Sequence, residues 1–407
     1  MKILVVNKFL FLNGGSEACM FDGARLLKER GHSVLFLAMA DPRNVAVEDP
    51  VYLVSHVDFN RPGGVAERVN AAGRMLYSFE AKARTEEAIR KERPDIALLH
   101  NVYHQLSPAI LGPLARHGVP TIMTLHDYKL VCPVYTLFTH GGPCERCGGG
   151  RYFWCAARRC AKGAWAASVL AAAEAYVHRT LLNSYAHVTA FISPSRFLAA
   201  KLRELGFAGR IEHIPNFLDL QGVEATPCGR NDIFTYCGRL TLEKGVATLV
   251  AAMEGVPARC QIIGDGPAGN ELRRMVAERG LKNVTFTGHL GREQVGEQLR
   301  RARAVVLPSV WYENSPRAII EAFALGRPAI GARIGGIPEL VREGVTGLTF
   351  SPGNVAELRG ALLSLLADDA RVQAMGENAR RLVEEECGAD AYYERLMALC
   401  RAVSAGA

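Results

Sequence analysis

The sequence predicts an α/β fold made of two consecutive doubly wound units, and three observations support this prediction. The chain has 407 residues, which exceeds the size at which a single hydrophobic core keeps growing. Short apolar strands alternate with amphipathic helices, as in parallel sheets that carry helices on both faces. The alternation restarts after Pro215-Asn216. We therefore expect one domain over 1–215, a second over 216–385, and a C-terminal helix over 386–407 that packs back on the first.

The N-terminal half begins with a strand, a loop and a helix. Lys2–Asn7 predicts the first strand, and Ser16 is placed to cap a helix that ends at Gly31. The segment from about 130 to 185 departs from the alternation, and we interpret it as an insertion. Later apolar runs predict the other strands of this half: Ser33–Met39, Ile96–Leu99, Thr121–Leu125, His187–Ile192 and Ile211–Ile214.

The C-terminal half repeats the pattern at shorter intervals. Its predicted strands are Asp232–Cys237, Arg259–Ile263, Val284–Thr287, Ala304–Leu307 and Ala329–Gly331. Its predicted helices are Val246–Met253, Asn270–Arg279, Arg292–Ala302 and Pro316–Leu325. Ligands of doubly wound sheets bind beyond the carboxyl ends of the strands, so we expect a binding cleft between two lobes.

Composition and charge narrow the classes of protein. With 49% hydrophobic and 22% charged residues, the chain is ordinary for a globular protein. No run of ~20 apolar residues predicts a membrane-spanning helix, and the first residues lack the features of a signal peptide. We therefore expect a cytoplasmic protein.

Residues 1–215 carry 26 Lys and Arg against 18 Asp and Glu, whereas residues 216–407 carry 22 against 23. The basic half suits an anionic membrane or lipid pyrophosphate, or is only a solvated surface; no nucleic-acid motif accompanies it.

The loop before the predicted helix at 316 carries the strongest candidate site. Ser315 is expected as the N-cap and Pro316 as the first helical residue. Glu313 then lies just before the helix, and Glu321 lies in its second turn. Backbone N–H groups over Asn314–Arg317 would form an anion site suited to a diphosphate.

A second strand-to-helix loop, Gly238–Gly245, carries two cations. Arg239 follows the strand and Lys244 precedes the helix, so both side chains can reach one point above the sheet. A sugar nucleotide leaves as a diphosphate whose charge grows while the glycosidic bond breaks. Arginine can hold two of its oxygens and lysine supplies a mobile charge. The two loops together predict a nucleotide-sugar site.

These motifs, in this order and spacing, resemble family 4 of the retaining glycosyltransferases. The likeness covers most of 1–385 and implies the GT-B fold, two Rossmann-like domains that face each other across a cleft, and a role in bacterial-type polysaccharide or glycoconjugate biosynthesis. It rests on these stretches: Gly238-Arg239, Glu243-Lys244-Gly245, Gly264-Asp265-Gly266-Pro267, Glu313 and Glu321-Ala322 with seven residues between the glutamates, Gly326-Arg327-Pro328, and Gly335-Gly336-Ile337-Pro338-Glu339.

The resemblance also implies a role for each matched residue. Arg239 and Lys244 would neutralise the donor diphosphate, Glu313 would hold hydroxyls of the transferred sugar, and Glu321 would hold the ribose. The candidates implied as catalytic are Glu313, Arg239, Lys244 and His126, and those implied as donor-binding are Gly14, Gly15, Asn314, Ser315, Pro316, Arg317 and Glu321.

Two of these features lie in the N-terminal half. The Gly14-Gly15 pair in the first strand-to-helix loop would let the backbone approach the phosphate. His126, in Leu125-His126-Asp127, would lie on the acceptor side of the cleft. We favour front-face substitution, with the donor phosphate taking the acceptor's proton, because nothing obviously supplies a nucleophile below the sugar ring. No metal or other cofactor is needed for this reaction. We expect the nucleotide of the donor to carry uracil, with guanine as the alternative.

Eleven cysteines in a cytoplasmic chain argue against a disulfide framework. Five of them fall within 29 residues, with Cys132 upstream of two close pairs. Four thiolates from the pairs suit a structural zinc ion, although the spacing is shorter than in common zinc ribbons. The alternative is a set of reduced buried thiols. The candidate zinc ligands are Cys144, Cys147, Cys155 and Cys160.

The insertion also mixes cations with aromatic residues before an alanine-rich helix over about 164–182. This mixture suits an anchor at the surface of an anionic membrane, near a lipid-linked acceptor. The alternative is an aromatic-packed helix that borders the acceptor site. The residues concerned are Arg151, Tyr152, Phe153, Trp154, Arg158, Arg159, Lys162 and Trp165.

Two other functions compete with sugar transfer. One is a sugar-nucleotide epimerase or hydrolase, which would share the cleft without an acceptor. The other is a non-catalytic protein that binds a sugar nucleotide, and the intact set of Arg239, Lys244, Glu313 and Glu321 argues against it. A dinucleotide dehydrogenase is disfavoured because the first strand leads into Asn13-Gly14-Gly15-Ser16 rather than a G-x-G-x-x-G loop.

Overall fold

Two separate parallel sheets organise the chain, which is described by a computed structural model over residues 1–59, 63–228 and 231–405. Contacts divide the described residues into two units. The N-terminal unit holds residues up to Thr136, Glu145–Ile214 and the chain from Tyr392 onward. The C-terminal unit holds Leu137–Cys144 and Pro215–Ala391.

The N-terminal unit contains a seven-stranded sheet of order β3-β2-β1-β4-β5-β8-β9, in which every neighbouring pair is parallel. Its strands are β1 (Lys2–Val6), β2 (Ser33–Met39), β3 (Val51–Val54), β4 (Ile96–Leu99), β5 (Thr121–Thr124), β8 (Ala190–Ser193) and β9 (Ile211–His213). The six apolar runs predicted as strands all lie in this sheet, two with the predicted bounds and four with ends that differ by one to three residues, whereas β3 was not predicted. The two-residue strands β6 (Phe138–Thr139) and β7 (Gly142–Pro143) form a separate antiparallel hairpin.

The helices of the N-terminal half lie between these strands. They are α1 (Gly15–Glu29), α2 (Val65–Leu76), α3 (Phe79–Glu92), α4 (Leu111–Arg116), α5 (Phe153–Ala157), α6 (Trp165–Tyr176) and α7 (Arg196–Glu204). The predicted alanine-rich helix is therefore shorter than expected, because one π-helical turn, Val177–Leu181, follows α6.

The prediction that Ser16 caps the first helix is wrong. Helix α1 begins at Gly15, and Gly14 is its N-cap, without a side-chain hydrogen bond. The Gly14 carbonyl accepts the Ala18 N–H at 3.2 Å. Ser16 lies inside the helix, so its hydroxyl cannot take the N-cap position, and glycine at that position has no side chain that could accept a first-turn N–H.

The C-terminal unit contains a six-stranded sheet of order β12-β11-β10-β13-β14-β15, again with parallel neighbours. Its strands are β10 (Ile233–Cys237), β11 (Arg259–Ile263), β12 (Val284–Gly288), β13 (Ala304–Leu307), β14 (Ala329–Ala332) and β15 (Gly347–Phe350). Its helices are α8 (Val246–Ala252), α9 (Gly269–Glu278), α10 (Arg292–Arg300), α11 (Arg317–Ala324), α12 (Ile337–Leu340), α13 (Val355–Ala367) and α14 (Asp369–Glu386).

The last helix, α15 (Ala389–Ser404), packs on the first sheet of the chain. Leu396, Cys400 and Val403 of this helix belong to the same buried cluster as Ile3 and Val5 of β1. Burying apolar surface against β1 keeps the end of the chain with its beginning. Among the described residues, none of the helices combines the length and apolar character needed to cross a bilayer.

Candidate active site

Two loops of the C-terminal unit, Gly238–Gly245 and Pro308–Pro316, meet through their backbones. The Val310 N–H donates to the Glu243 carbonyl at 2.9 Å. Gly245 has a φ of 63°, and a Cβ atom there would lie only 2.0 Å from the Pro308 carbonyl oxygen. Only glycine permits both this conformation and this approach. The motif glycine therefore brings the Lys244 side chain to the loop that carries Glu313.

Glu313 is a buried carboxylate with two donors on one oxygen. Its Oε1 atom accepts from Lys244 Nζ at 2.7 Å and from Ser309 Oγ at 2.6 Å, and the residue is 4% exposed. Burial alone raises the pKa of the Glu313 carboxyl, but the Lys244 ammonium and these hydrogen bonds outweigh it, so the pKa lies below its ordinary value. Glu313 is therefore ionised at neutral pH and can accept hydrogen bonds from hydroxyl groups.

The backbone of Glu313 is held by a motif glycine pair. The Gly336 N–H donates to the Glu313 carbonyl at 2.8 Å. Gly335 has a φ of 62°, and a Cβ atom there would lie 2.3 Å from that carbonyl oxygen and 2.5 Å from the Glu313 nitrogen. The spacing between Glu313 and the Gly-Gly-Ile-Pro-Glu stretch thus reflects direct contact.

The helix after this loop begins one residue later than predicted. Helix α11 starts at Arg317, and Pro316 is the N-cap, with a ψ of 109° that is extended rather than helical. Its carbonyl accepts the Ile319 N–H at 3.1 Å. The prediction of Ser315 as the cap is therefore wrong. Proline suits this position because it offers a carbonyl and has no N–H to leave unpaired.

Arg317 and Glu321 lie one turn apart on α11 and form an ion pair, with Arg317 Nε 3.7 Å from Glu321 Oε1. The Glu321 side chain is 31% exposed. Burial, followed by the nearby charge of Glu321, raises the pKa of the Cys237 thiol to about 12. Glu321 therefore lies near the carboxyl end of β10, the strand that leads into the cationic loop.

Arg239 is exposed at the start of that loop. The Tyr236 hydroxyl donates to the Arg239 carbonyl at 2.8 Å. The loop packs on the Gly-Asp-Gly-Pro stretch, since a Cβ atom at Gly264 would lie 2.1 Å from the Gly238 carbonyl oxygen. The structure thus places the backbone of Arg239 in a fixed turn and leaves its guanidinium toward solvent.

In the N-terminal unit, His126 is paired with a second histidine that the sequence did not reveal. His100 Nδ1 lies 2.9 Å from His126 Nε2, and the rings stack at 5.2 Å with 19° between their planes. His100 follows β4 and His126 follows β5, two adjacent strands. Burial lowers the pKa of His100 to about 4, so this ring is neutral at physiological pH. The sequence could not reveal this pair because the two residues are 26 positions apart, and only the order of the strands in the sheet brings them together.

Gly14 and Gly15 are exposed at the start of α1. The φ of Gly14 is 179°, an extended conformation open to any residue, so its backbone angle alone does not require glycine. A Cβ atom there would meet only Glu17 Oε2, at 3.7 Å. An open approach to the backbone is therefore what this glycine offers.

The cysteines of the insertion are all thiols. Cys155 is fully buried and belongs to an apolar cluster with Cys147 and Tyr152, against which Cys160 packs. Hydrogen bonding with Cys160, followed by burial, raises the pKa of the Cys155 thiol. Cys144 falls in the other unit. Over the described ranges, which include every cysteine, no group of three or more potential ligands is arranged to hold a metal ion.

The two parallel sheets and their helices define an α/β protein of the GT-B fold class, as the sequence predicted. Residues 13–221, just over half of the chain, match the model described as Glycosyltransferase Family 4. Residues 226–382 match the model described as Glycosyl transferases group 1. The chain therefore belongs to glycosyltransferase family 4.

Three similar proteins show how far the likeness extends. The alpha-D-kanosaminyltransferase of Streptomyces kanamyceticus is 32% identical over 177 residues, which cover 42% of this chain and 46% of that relative. The chain thus matches less than half of that curated relative's length. HepE of Anabaena, solved in complex with UDP, has a TM-score of 0.70 at 18% identity and covers 99% of this chain and 100% of its own. Sucrose-phosphate synthase of Thermosynechococcus elongatus has a TM-score of 0.75 at 21% identity, with both chains fully covered.

Proposed function

We propose that this chain is a retaining hexosyltransferase that moves a sugar from a nucleotide-sugar donor to a hydroxyl group of a saccharide or lipid-linked saccharide. The observation that carries the proposal is the buried Glu313 carboxylate held at 2.7 Å by Lys244. A carboxylate that stays ionised next to a cation suits a site where sugar hydroxyls and a diphosphate lie side by side. A UDP-sugar is our first choice of donor, supported by the UDP bound to HepE, and a GDP-sugar is the alternative.

Each residue has a role in this proposal. Glu313 accepts hydrogen bonds from the transferred sugar, and Glu321 accepts them from the ribose. Lys244 and Arg239 stabilise the charge that develops on the departing diphosphate, which is the largest single term in many such reactions. The amides of residues 314, 315 and 317 add to this stabilisation at the start of α11.

The stereochemical part of the proposal is front-face substitution. The acceptor hydroxyl attacks the anomeric carbon on the face from which the diphosphate leaves, and a phosphate oxygen takes the hydroxyl proton. Glu313 is already paired with Lys244 and Ser309, which suits a hydrogen-bond acceptor better than a nucleophile. A covalent sugar trapped on Glu313 would contradict this mechanism.

A thermal-shift panel of UDP-, GDP- and ADP-sugars tests the donor. A donor that binds only the folded chain raises the free energy of unfolding by about 2.7 kcal/mol at a hundredfold excess over Kd, and the thermal midpoint rises with it. Nucleoside diphosphate release, measured with and without candidate acceptors, then separates transfer from hydrolysis or epimerisation. Release that depends on an acceptor and gives a product with the donor's anomeric configuration supports the proposal, whereas acceptor-independent release favours a hydrolase.

We also propose that the insertion brings this enzyme to an anionic membrane. Phe153 and Trp165 are 52% and 62% exposed, and exposed cations at Arg151, Arg159 and Lys162 surround them in sequence. Aromatic rings with flanking cations are favoured at bilayer interfaces. Flotation with phosphatidylglycerol vesicles should be lost in F153S/W165S and kept in the surface control L363S. Binding that is equal on phosphatidylcholine vesicles would contradict an electrostatic anchor.

The zinc proposal stays separate from catalysis. If Cys144, Cys147, Cys155 and Cys160 bind a structural metal ion, purified protein contains one zinc per chain that a chelator removes with loss of stability. Protein without stoichiometric zinc would end this proposal and leave buried reduced thiols.

A further inference from the structure

A buried ion pair joins the insertion to the loop after β5. Lys129 Nζ lies 2.6 Å from Glu174 Oε2, and their side chains are 3% and 1% exposed. Lys129 follows His126 by three residues, whereas Glu174 lies on α6 of the insertion. Removing two charges from water costs several kcal/mol per ion, and apolar residues in their place are often as stable or more so. Stability alone is therefore a weak explanation for this pair.

The Lys129 ammonium has three N–H donors, and three acceptors surround it. They are the Glu174 carboxylate, the Pro133 carbonyl at 2.9 Å and the His104 ring at Nε2, 3.3 Å away. Since lysine can only donate, His104 Nε2 accepts and the ring proton lies on Nδ1. Every donor of the buried ammonium is thus satisfied within one fixed arrangement.

The backbone at His104 shows that this arrangement is held tightly. Its φ is 68°, in the left-handed region that residues other than glycine seldom occupy. Such conformations persist only where the surrounding contacts fix them, and they concentrate at functional sites. The His104 ring contacts Tyr103 and Tyr135 as well as Lys129.

The pair is linked to His126 through the backbone of Lys129. The backbone N–H of Lys129 donates to Asp127 Oδ1 at 2.9 Å, and Asp127 directly follows His126. On its other side, the Leu125 N–H donates to the Ile192 carbonyl of β8 at 2.8 Å. The His126 ring therefore stands on a segment anchored to the sheet at one end and to the insertion at the other.

We infer that Glu174 is a positioning residue for His126, acting through Lys129, so that the insertion is a working part of the acceptor-side site. The inference rests on the proposed function and on the expectation, implied by the family resemblance, that His126 lies on the acceptor side. It predicts that the ion pair controls the rate of transfer independently of its effect on stability. A neutral Glu174 leaves a buried ammonium unbalanced, and the turn over 126–129 then shifts.

Four full-length variants test the inference: E174Q, K129M, the apolar double variant K129M/E174L, and the control E204Q. Glu204 belongs to a surface ion pair with Lys201 on α7, where its side chain is 59% exposed. Three quantities are measured for each: the thermal midpoint, kcat and KM for the donor with an acceptor present, and hydrogen exchange of peptides over 125–133.

The single variants should lose thermal stability and lose kcat by ~10–100-fold, since misplacement by about 1 Å can cost that much, with little change in the donor KM. The double variant removes both buried charges, so its thermal midpoint should recover while kcat stays low. Exchange over 125–133 should be faster in all three, and E204Q should match the wild type.

Recovery of both the midpoint and kcat in the double variant would overturn the inference, because the pair would then be purely structural. If the wild type turns over no donor with any acceptor, the proposed function fails, and hydrogen exchange alone decides the inference. Unchanged exchange over 125–133 in E174Q would then overturn it, and faster exchange confined to that segment would support it.

Discussion

The C-terminal and N-terminal units hold their charged groups in opposite ways. In the C-terminal unit, Lys244 is 22% exposed at its side chain and pairs with Glu313 on a loop fixed by glycine contacts. In the N-terminal unit, Lys129 and Glu174 are almost fully buried and His100 is neutral. The first arrangement leaves a cation partly exposed, where an anionic ligand could bind it. In the second, the polar groups bind one another and hold the local backbone in one conformation.

The difference predicts that charge changes at the Lys244–Glu313 pair affect activity most. Replacing Glu313 with glutamine removes the acceptor charge paired with Lys244, and kcat should fall by about 10²–10³-fold, the usual cost of one such contact. The control is E254Q, which removes one partner of a surface ion pair with Arg279. Steady-state kinetics on both variants check this, and near wild-type turnover of E313Q would show that Glu313 is not a sugar contact.

The backbone around Glu313 offers a sharper test with two glycines. Gly335 and Gly344 have φ values of 62° and 72°, so alanine at either position carries the left-handed strain, roughly 1 kcal/mol. Only at Gly335 would the new Cβ atom collide with Glu313, because no atom lies within 4 Å of the one at Gly344. We expect G335A to lose roughly 10–100-fold in kcat/KM and G344A to lose little. Equal losses would mean that strain, not displacement of Glu313, is responsible.

The smallest effect concerns pH and the buried histidine of the N-terminal unit. Burial lowers the pKa of His100 to about 4 from an ordinary 6.5. Below pH 6.5 the unfolded chain binds a proton at His100 that the folded chain does not. The contribution of neutral His100 to the free energy of unfolding is therefore complete above pH 6.5 and is lost as the pH falls to about 4. The loss is of the order of 1–3 kcal/mol.

Thermal midpoints of the wild type and H100Q between pH 4 and 7 check this sign. The midpoint of the wild type should fall more steeply toward low pH than that of H100Q. The exposed His187 supplies the control, H187Q. A parallel fall in the wild type and H100Q would show that His100 gains its proton as easily in the folded chain as in the unfolded one.

Much of the fold could be read from the sequence because the signals are local. A buried parallel strand is a short apolar run, so Ser33–Met39, Ile96–Leu99 and Ala304–Leu307 were predicted with the bounds that the structure has. Helix starts were less predictable, since a hydroxyl cap is only one way to satisfy the first turn. At α1 and α11, the N-caps are Gly14 and Pro316, neither of which has a hydroxyl group.

Of the residues at the candidate site, some were likewise predicted from the sequence and others were missed. Lys244 and Glu313 were both predicted from motifs, but their contact at 2.7 Å depends on two loops that are 69 residues apart. His100, Lys129 and Glu174 carry no motif in this sequence and were missed. A buried polar partner is defined by its neighbours in space, and single-sequence patterns report only neighbours along the chain.

The sequence by itself determined most strands of both sheets and the motif residues of the loops Gly238–Gly245 and Pro308–Pro316, because periodicity and glycine spacing act over a few residues. Only the tertiary structure decided which polar groups share a proton or a charge. Parallel strand order placed His100 beside His126, and the packing of α6 placed Glu174 against Lys129. Burial then fixed the ionisation of His100, since the energy of a charge depends on what surrounds it.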